Sequence, residues 1–176
     1  MRWAALLRSI NAGKSLAMAD LRAFLAAEGM RDVSTLLASG NALFDADETD
    51  AAALERHLQA AARDRLGLDT DWFLRDHRAL AAIIAANPFP REAEIRPSHV
   101  VVFFLHAPVA PAALAALADN YHGPEQVRAI GRELFIDYPD GIGRSKLTPA
   151  MARAKFPKAA TARNWNTLVK LAEQIA

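Results

Sequence analysis

The chain has 176 residues, of which 52% are hydrophobic and 23% charged, values typical of a globular protein with one domain or two small fused domains. Its 21 Lys and Arg against 20 Asp and Glu leave a formal charge of +1, which excludes a general electrostatic attraction to nucleic acid or an anionic membrane. The chain contains no cysteine, which excludes disulfides and thiolate catalysis. It also shows no secretory signal pattern and no run of about 20 apolar residues, so we expect a cytoplasmic protein without a membrane partner.

Hydrophobic periodicity in residues 1–76 predicts the element order β-α-β-β-α-β. Continuous apolar runs favour buried strands, alternating residues favour half-buried strands, and a spacing of three or four favours helices. Gly29 and Gly67 stand where helices commonly end in a left-handed turn, and Ser39 with Gly40 suits a two-residue hairpin turn. These patterns predict strands at 3–7, 33–37, 42–44 and 70–75, with helices that end at Gly29 and Gly67.

The rest of the chain repeats part of this order after a proline-rich stretch. Asp76 is a candidate cap for a short helix that ends before Pro88, and Pro111 is a candidate first residue of another helix. Further strands are predicted at 99–105, 127–130 and 134–138, followed by a helix near Thr148 and a last helix from about Thr161.

This order predicts an α+β protein made of two fused ferredoxin-like (α/β plait) halves, each an antiparallel sheet with helices packed on one face. The first half, with an extra helix, is expected at 1–86. A proline-rich connection is expected at 87–97, and the second half, with C-terminal helices, at 98–176.

Three polar segments interrupt this largely aliphatic sequence. Arg, Lys, Asn, Ser and Gly predominate in them, and these residue types bind anions or form turns. None of the segments contains a carboxylate, histidine or cysteine that could act as a base or a strong nucleophile. We therefore interpret the segments, at 8–14, 39–41 and 161–166, as candidate binding sites, and the catalytic residues, if any, stay unknown.

Residues 6–14, 39–41, 144–147 and 161–167 form a spaced set that is more specific than any one of its pieces. In this set the chain resembles a large bacterial family of uncharacterised proteins, domain of unknown function 1697 (DUF1697). The resemblance extends from end to end and implies two fused ferredoxin-like halves. It implies no activity, substrate or cofactor.

In a ferredoxin-like half the third strand lies between the first and the second, so the end of the first strand, the start of the first helix and the hairpin share one rim. Backbone N–H groups and the helix dipole favour an anion there, and Gly13 and Gly40 let the backbone approach it closely. The candidate ligand-binding residues are Arg8, Asn11, Gly13, Lys14, Ser39, Gly40 and Asn41, with Lys146, Arg163 and Asn164 in the second half.

Each candidate also has an ordinary structural interpretation. Arg8 and Lys14 could be solvated loop charges, and the segment 39–41 could serve only the turn. The segment 161–164 could cap the last helix, although capping does not explain Arg163, because a cation opposes the dipole at a helix start.

We expect a module that binds a phosphate-bearing small molecule or nucleotide, with nucleic acid as the less supported partner. No cofactor is expected, and no metal, because the five histidines lack metal-ligand spacing. Two alternatives stay open: an enzyme acting on an anionic small molecule, with Arg8 and Lys14 stabilising negative charge, and a structural protein that forms a homodimer. The oligomeric state does not follow from the sequence.

Overall fold

The computed structural model of the chain describes residues 1–8, 16–37 and 40–176. This part of the chain is an α+β fold with two four-stranded antiparallel sheets. It divides into two compact units, a first unit of Met1–Ala82 with Lys170–Ala176 and a second unit of Ile83–Val169. No helix in the described ranges is both long and apolar enough to cross a bilayer.

The first sheet is built by the N-terminal part of the chain. Its elements are β1 (Arg2–Leu7), α1 (Met18–Ala27), β2 (Arg31–Thr35), β3 (Asn41–Asp45), α2 (Ala51–Leu66), β4 (Trp72–Asp76) and α3 (His77–Ala85). The strand order is β2-β3-β1-β4, and every neighbouring pair is antiparallel. β1 is therefore an inner strand, in agreement with its continuous apolar sequence and its burial from Trp3 to Leu7.

Helices α1 and α2 pack on the same face of the first sheet. Trp3 and Trp72 from the strands, Leu21 and Phe24 from α1 and Leu58 from α2 belong to one buried cluster. The rings of Phe24 and Trp72 have centroids 6.1 Å apart. Burial of each large apolar side chain contributes roughly 1.5–3 kcal/mol to folding, so this cluster is a main source of stability in the first unit.

Helix ends in the first unit follow the signals in the sequence. Gly29, which follows the C-cap residue Glu28 of α1, has φ +87°, and Gly67 ends α2 with φ +61°, so both predicted left-handed turns are confirmed. Asp50 caps α2, since its side chain accepts a hydrogen bond from the N–H of Ala52. The predicted cap of α3 is also confirmed, because Asp76 Oδ1 accepts from the N–H of Ala79 at 2.7 Å.

The second sheet is built by the C-terminal part of the chain. The elements of this part of the chain are α4 (Pro90–Ile95), a 3₁₀ turn (Pro97–His99), β5 (Val100–Leu105), α5 (Pro111–Asn120), β6 (Gln126–Ile130), β7 (Glu133–Asp137), a 3₁₀ turn (Ile142–Arg144), α6 (Leu147–Arg153), β8 (Ala160–Asn164) and α7 (Trp165–Ile175). The strand order is β6-β7-β5-β8, again with antiparallel neighbours. Helices α5 and α6 share a buried cluster with the sheet, to which Leu117, Met151 and Ile136 belong.

The prediction of a helix from about Thr161 is wrong, because Ala160–Asn164 form strand β8 and α7 begins at Trp165. β8 pairs with β5, and Thr161 and Arg163 are the buried residues of its alternating pattern. Asn164 caps α7 by accepting a hydrogen bond from the N–H of Thr167 at 3.0 Å. The polar residues of this segment are compatible with a helix start, and pairing with a distant strand overrides that local preference.

The left-handed turn at Gly29 allows a test of backbone strain separate from packing. A Cβ on Gly29 would meet no atom within 4 Å, but the residue has φ +87°; Gly143 also has open space around it and has no positive φ. We expect Gly29→Ala to lower the free energy of unfolding by about 1–2 kcal/mol and Gly143→Ala to change it by less than about 0.5 kcal/mol. Urea unfolding of the wild type and the two variants measures these changes. Equal free energies of unfolding for the two variants would show that a side chain at Gly29 does not strain the turn.

Candidate functional site

The C-terminal end of β1 lies between the ends of its two neighbouring strands. The N–H of Leu7 donates to the carbonyl of Gly40 at 2.9 Å, and the N–H of Arg8 donates to the carbonyl of Asp71 at 3.1 Å. Arg8, Gly40 and Asn41 are therefore brought together at one border of the sheet, as the topology argument from the sequence predicts. We call Arg8, Gly40, Asn41, Thr70 and Asp71 the first-sheet edge.

The side chain of Arg8 is held at this edge by a carboxylate that the sequence argument missed. Arg8 Nη1 lies 3.2 Å from Asp71 Oδ2, and the side chains are 42% and 22% exposed. The buried hydroxyl of Thr70 also donates to the carbonyl of Arg8. An ion pair exposed to this degree contributes only about 0–1 kcal/mol to stability, so its main effect is to orient the guanidinium group.

Asn41 acts in the turn between β2 and β3. It is fully buried, and its Nδ2 donates to the carbonyl of Leu36 at 3.0 Å while its own carbonyl accepts from the N–H of Leu36 at 3.0 Å. Gly40 has φ +77°, a conformation that glycine adopts readily. The two-residue turn predicted at Ser39 and Gly40 lies partly outside the described residues, and the strands on either side end at Thr35 and begin at Asn41.

Four candidates from the sequence, Asn11, Gly13, Lys14 and Ser39, lie outside the described residues. The segment 9–15 is joined to the first-sheet edge at Arg8, and the segment 38–39 is joined to it at Gly40. Covalent continuity therefore connects both segments to the edge.

The remaining candidates belong to the second unit. Arg163 is buried in β8, where its Nη1 donates to Thr161 Oγ1 at 2.7 Å and to the carbonyl of Ala162 at 2.8 Å. Burial lowers the pKa of Arg163 to about 10, so the side chain stays charged at neutral pH. Asn164 caps α7, which agrees with the capping interpretation, and Lys146 is exposed directly before α6.

Lys146 lines a pocket that the sequence argument did not find. The cavity has a volume of about 380 Å³ and is lined by Tyr121, Gly123, Pro124, Glu125, Asp140, Arg144, Ser145 and Lys146; we call it the second-unit pocket. Residues 144–147 were part of the family resemblance, which was the signal available for Arg144 and Ser145. Tyr121 and Glu125 had no such signal, since they lie in a stretch with no recognisable motif.

The carboxylate of Glu125 is hydrogen-bonded on both oxygens. Tyr121 Oη donates to Oε2 at 2.6 Å, and the hydroxyl of Ser145 donates to Oε1. Ser145 Oγ in turn accepts from the N–H of Leu147 at 3.0 Å. A side chain on Gly123 would overlap the Tyr121 hydroxyl and the Glu125 carboxylate, so the close packing of this group depends on that glycine.

These contacts make Glu125 a weaker base than an ordinary glutamate. Burial raises the pKa of Glu125, but the hydrogen bonds from Ser145 and Tyr121 outweigh burial, and the net pKa is lowered. For Tyr121, burial and the hydrogen bond to Glu125 raise the pKa. A carboxylate that stays ionised with both oxygens occupied is poorly suited to general acid-base work at neutral pH, so the pocket does not favour the enzyme alternative.

No group of three or more His, Cys, Asp or Glu side chains that could hold a metal ion occurs in the ranges 1–8, 16–37 and 40–176. Both candidate sites contain cations, Arg8 at the first-sheet edge and Arg144 with Lys146 in the second-unit pocket. Cationic side chains bind oxyanions and repel metal ions.

A family model described as a protein of unknown function, DUF1697, matches residues 1–135. The chain belongs to this family. Among solved structures, the chain is similar to a conserved bacterial protein from Streptococcus pneumoniae, with 20% sequence identity and a TM-score of 0.76. The similarity covers 99% of this chain and 98% of that chain, and at this identity it shows a shared fold alone. No curated protein matches the chain.

The lowered pKa of Glu125 predicts a specific dependence of stability on acid. Its contribution to stability is fully present above the unfolded pKa of about 4.5 and is lost as pH falls through the lower folded pKa. Ser145→Ala removes one hydrogen bond that lowers this pKa, so we expect a smaller loss of stability on acidification than in the wild type. Urea unfolding between about pH 7 and about pH 3 measures the slope.

Glu125→Gln provides the control for this prediction, because it removes the titrating group. Ser145→Ala in the Glu125→Gln background should leave the slope with pH unchanged. If the wild type and Glu125→Gln lose stability in parallel on acidification, the hydrogen bonds of Glu125 do not contribute as argued.

Proposed function

We propose that the protein binds a phosphate-bearing or other anionic ligand at the first-sheet edge, with Arg8 as the principal charged contact. The observation that carries this proposal is the position of the Arg8 guanidinium, which is oriented by Asp71 and is still 42% exposed. The planar guanidinium has several N–H donors, and its exposed part can bind an oxyanion through more than one of them.

Arg8 binds the Asp71 carboxylate through the same type of contact that it would make with the oxygens of an anionic ligand. A carboxylate and a phosphate both bind arginine through two or more oxygens, and the phosphate carries more charge. The anionic ligand therefore competes with Asp71 for Arg8 in this proposal. Because the existing ion pair is partly exposed and weak, little free energy is lost when the ligand replaces it.

In this proposal, residues that follow Arg8 and precede Gly40 in the sequence complete the site. Asn11, Gly13 and Lys14 lie in the segment joined to Arg8, and Ser39 is joined to Gly40. Together they would add one cation, two polar side chains and backbone N–H groups, which is the donor set that phosphate groups require. Lys146, Arg163 and Asn164 belong to the second unit and are not needed for this site.

A small phosphate-bearing molecule or nucleotide is the ligand class that we propose, in a cytoplasmic setting. The formal charge of +1 supplies no extended field for nucleic acid, so RNA is the less supported ligand. We also assign both halves to the ferredoxin-like class; the orders β2-β3-β1-β4 and β6-β7-β5-β8, with antiparallel neighbours, support that assignment.

If the ligand competes with Asp71 for Arg8, substitutions of these two residues should have opposite effects on ligand binding. Arg8→Ala should abolish the thermal stabilisation caused by the ligand, and Asp71→Asn should strengthen it, because Arg8 then has no competing carboxylate. Melting temperatures are measured with inorganic phosphate, mononucleotides and a short RNA, against sodium chloride at equal ionic strength. A ligand at about 100 times its Kd should stabilise the wild type by about 2.7 kcal/mol.

Arg22→Ala is the matched control, since it removes an exposed arginine whose Nη1 donates to Thr35 Oγ1 instead of a carboxylate. It should leave ligand stabilisation unchanged. If Arg8→Ala and the wild type respond identically to all of these compounds, or if none of them stabilises the wild type, the proposal is wrong.

A further inference from the structure

Strand β6 is an outer strand of the second sheet. Among the described residues it pairs only with β7, in a hairpin closed by Gly131 and Arg132. In a hairpin with a two-residue turn the closing pair, Ile130 and Glu133, is hydrogen-bonded, and such pairs then alternate along the strands. The N–H and C=O groups of Val127 and Ala129 therefore point away from β7, where another extended chain could bind them.

An apolar groove runs beside this free edge. It has a volume of about 450 Å³ and lies between α5, which contributes Leu114, Leu117 and Ala118, and β6, which contributes Val127 and Ala129. This volume is within the usual range of ligand sites. Successive side chains of an extended chain point to opposite faces, so every second side chain of a strand added to β6 would enter this groove.

The groove adjoins the second-unit pocket at the N-terminal end of β6. Tyr121, Gly123 and Glu125 line both cavities. Both oxygens of the Glu125 carboxylate already accept hydrogen bonds from hydroxyl groups, and Asp140 interacts electrostatically with Arg96.

Arg144 and Lys146 are the cations of that pocket. Both are exposed, and within the described ranges neither side chain has an ion pair or a hydrogen bond. In the described part of the chain, the donors of Arg144 and Lys146 are therefore not used by other side chains, whereas the Glu125 oxygens are.

We propose that the second unit binds the C-terminal end of an extended peptide, which adds to β6 as an antiparallel strand and places its terminal carboxylate at Arg144 and Lys146. The direction follows from the position of the two cations relative to β6. A strand antiparallel to β6 ends where β6 begins, at Gln126, and this is the end of the groove that adjoins the two cations. Backbone hydrogen bonds supply affinity, the groove selects apolar side chains, and the cations select a free carboxylate.

Arg128 covers the same edge when no peptide is bound. Its Nη1 donates to the carbonyl of Val127 at 2.9 Å, and this carbonyl is one of the outward-facing acceptors. Long charged side chains on outer strands commonly prevent unwanted strand pairing. A bound peptide must displace this contact, so removal of the Arg128 side chain should tighten peptide binding.

The experiment uses the full chain and a pool of fluorescein-labelled hexapeptides with apolar residues at the last and third-from-last positions. The pool is prepared once with a free C-terminal carboxylate and once as the C-terminal amide, and binding is followed by fluorescence polarisation. We expect the carboxylate pool to bind at least about tenfold more tightly than the amide pool. Amide NMR signals of Val127 and Ala129 should shift on addition of the carboxylate pool.

Variants test the roles of the charged side chains. Arg144→Gln and Lys146→Gln should each reduce the preference for the carboxylate pool several-fold, and Arg128→Ala should increase affinity for both pools. Lys158→Gln removes an exposed cation outside the pocket and should change neither affinity. Because all four residues are exposed, thermal melts are expected to show folded proteins.

Several outcomes would overturn the proposal. They are equal binding of the two pools, no binding of either pool at about 1 mM protein, and an unchanged carboxylate preference in both Gln variants. Light scattering that shows a dimer whose formation is strengthened by Arg128→Ala would instead assign β6 to a second copy of this chain. This site lies in the second unit and does not depend on ligand binding at the first-sheet edge.

Discussion

Antiparallel pairing on both sides of β1 is the constraint on which the first unit depends. β1 pairs with β3 from Arg2 to Leu6 and with β4 from Trp3 to Leu7, so its end lies between the ends of two strands that are far away in the chain. The hydrogen bonds of Leu7 and Arg8 continue this pairing beyond the strand. As a result, a cation from residue 8 lies beside a turn near residue 40 and a carboxylate at residue 71.

Both candidate sites contain a carboxylate with a hydrogen-bond partner and at least one exposed cationic side chain. At the first-sheet edge, the Asp71 carboxylate orients the Arg8 side chain, which stays partly exposed. In the second-unit pocket, two hydroxyl groups donate hydrogen bonds to the Glu125 carboxylate, while Arg144 and Lys146 stay exposed. In both places the pattern leaves positive charge available to an incoming anion. In the second-unit pocket the hydrogen bonds lower the pKa of Glu125, so this carboxylate is a weak base at neutral pH.

Predictions from the sequence succeeded where the physical cause is local. Gly29 takes a left-handed conformation and Asp76 caps a helix because these effects involve residues only a few positions apart. The helix predicted from Thr161 failed because its residues pair with β5, about sixty positions earlier in the chain. Asp71 was missed for the same reason, since its ion pair with Arg8 spans 63 positions and no pattern near either residue indicates it.

Residue order alone was sufficient for the family, the α+β class, most strands and helices, and the meeting of Arg8 with Asn41 at one edge. The family follows from the resemblance of the spaced motifs. The class, the elements and the shared edge follow from periodicity, from turn and cap chemistry, and from the few topologies that antiparallel strands allow. Only the tertiary structure showed that Asp71 forms an ion pair with Arg8 and that Arg163 is buried in a strand. It also showed that Tyr121, Glu125 and Ser145 are hydrogen-bonded to one another beside one pocket. Such contacts depend on which side chains the packed core leaves close together, and no short stretch of sequence encodes that distance.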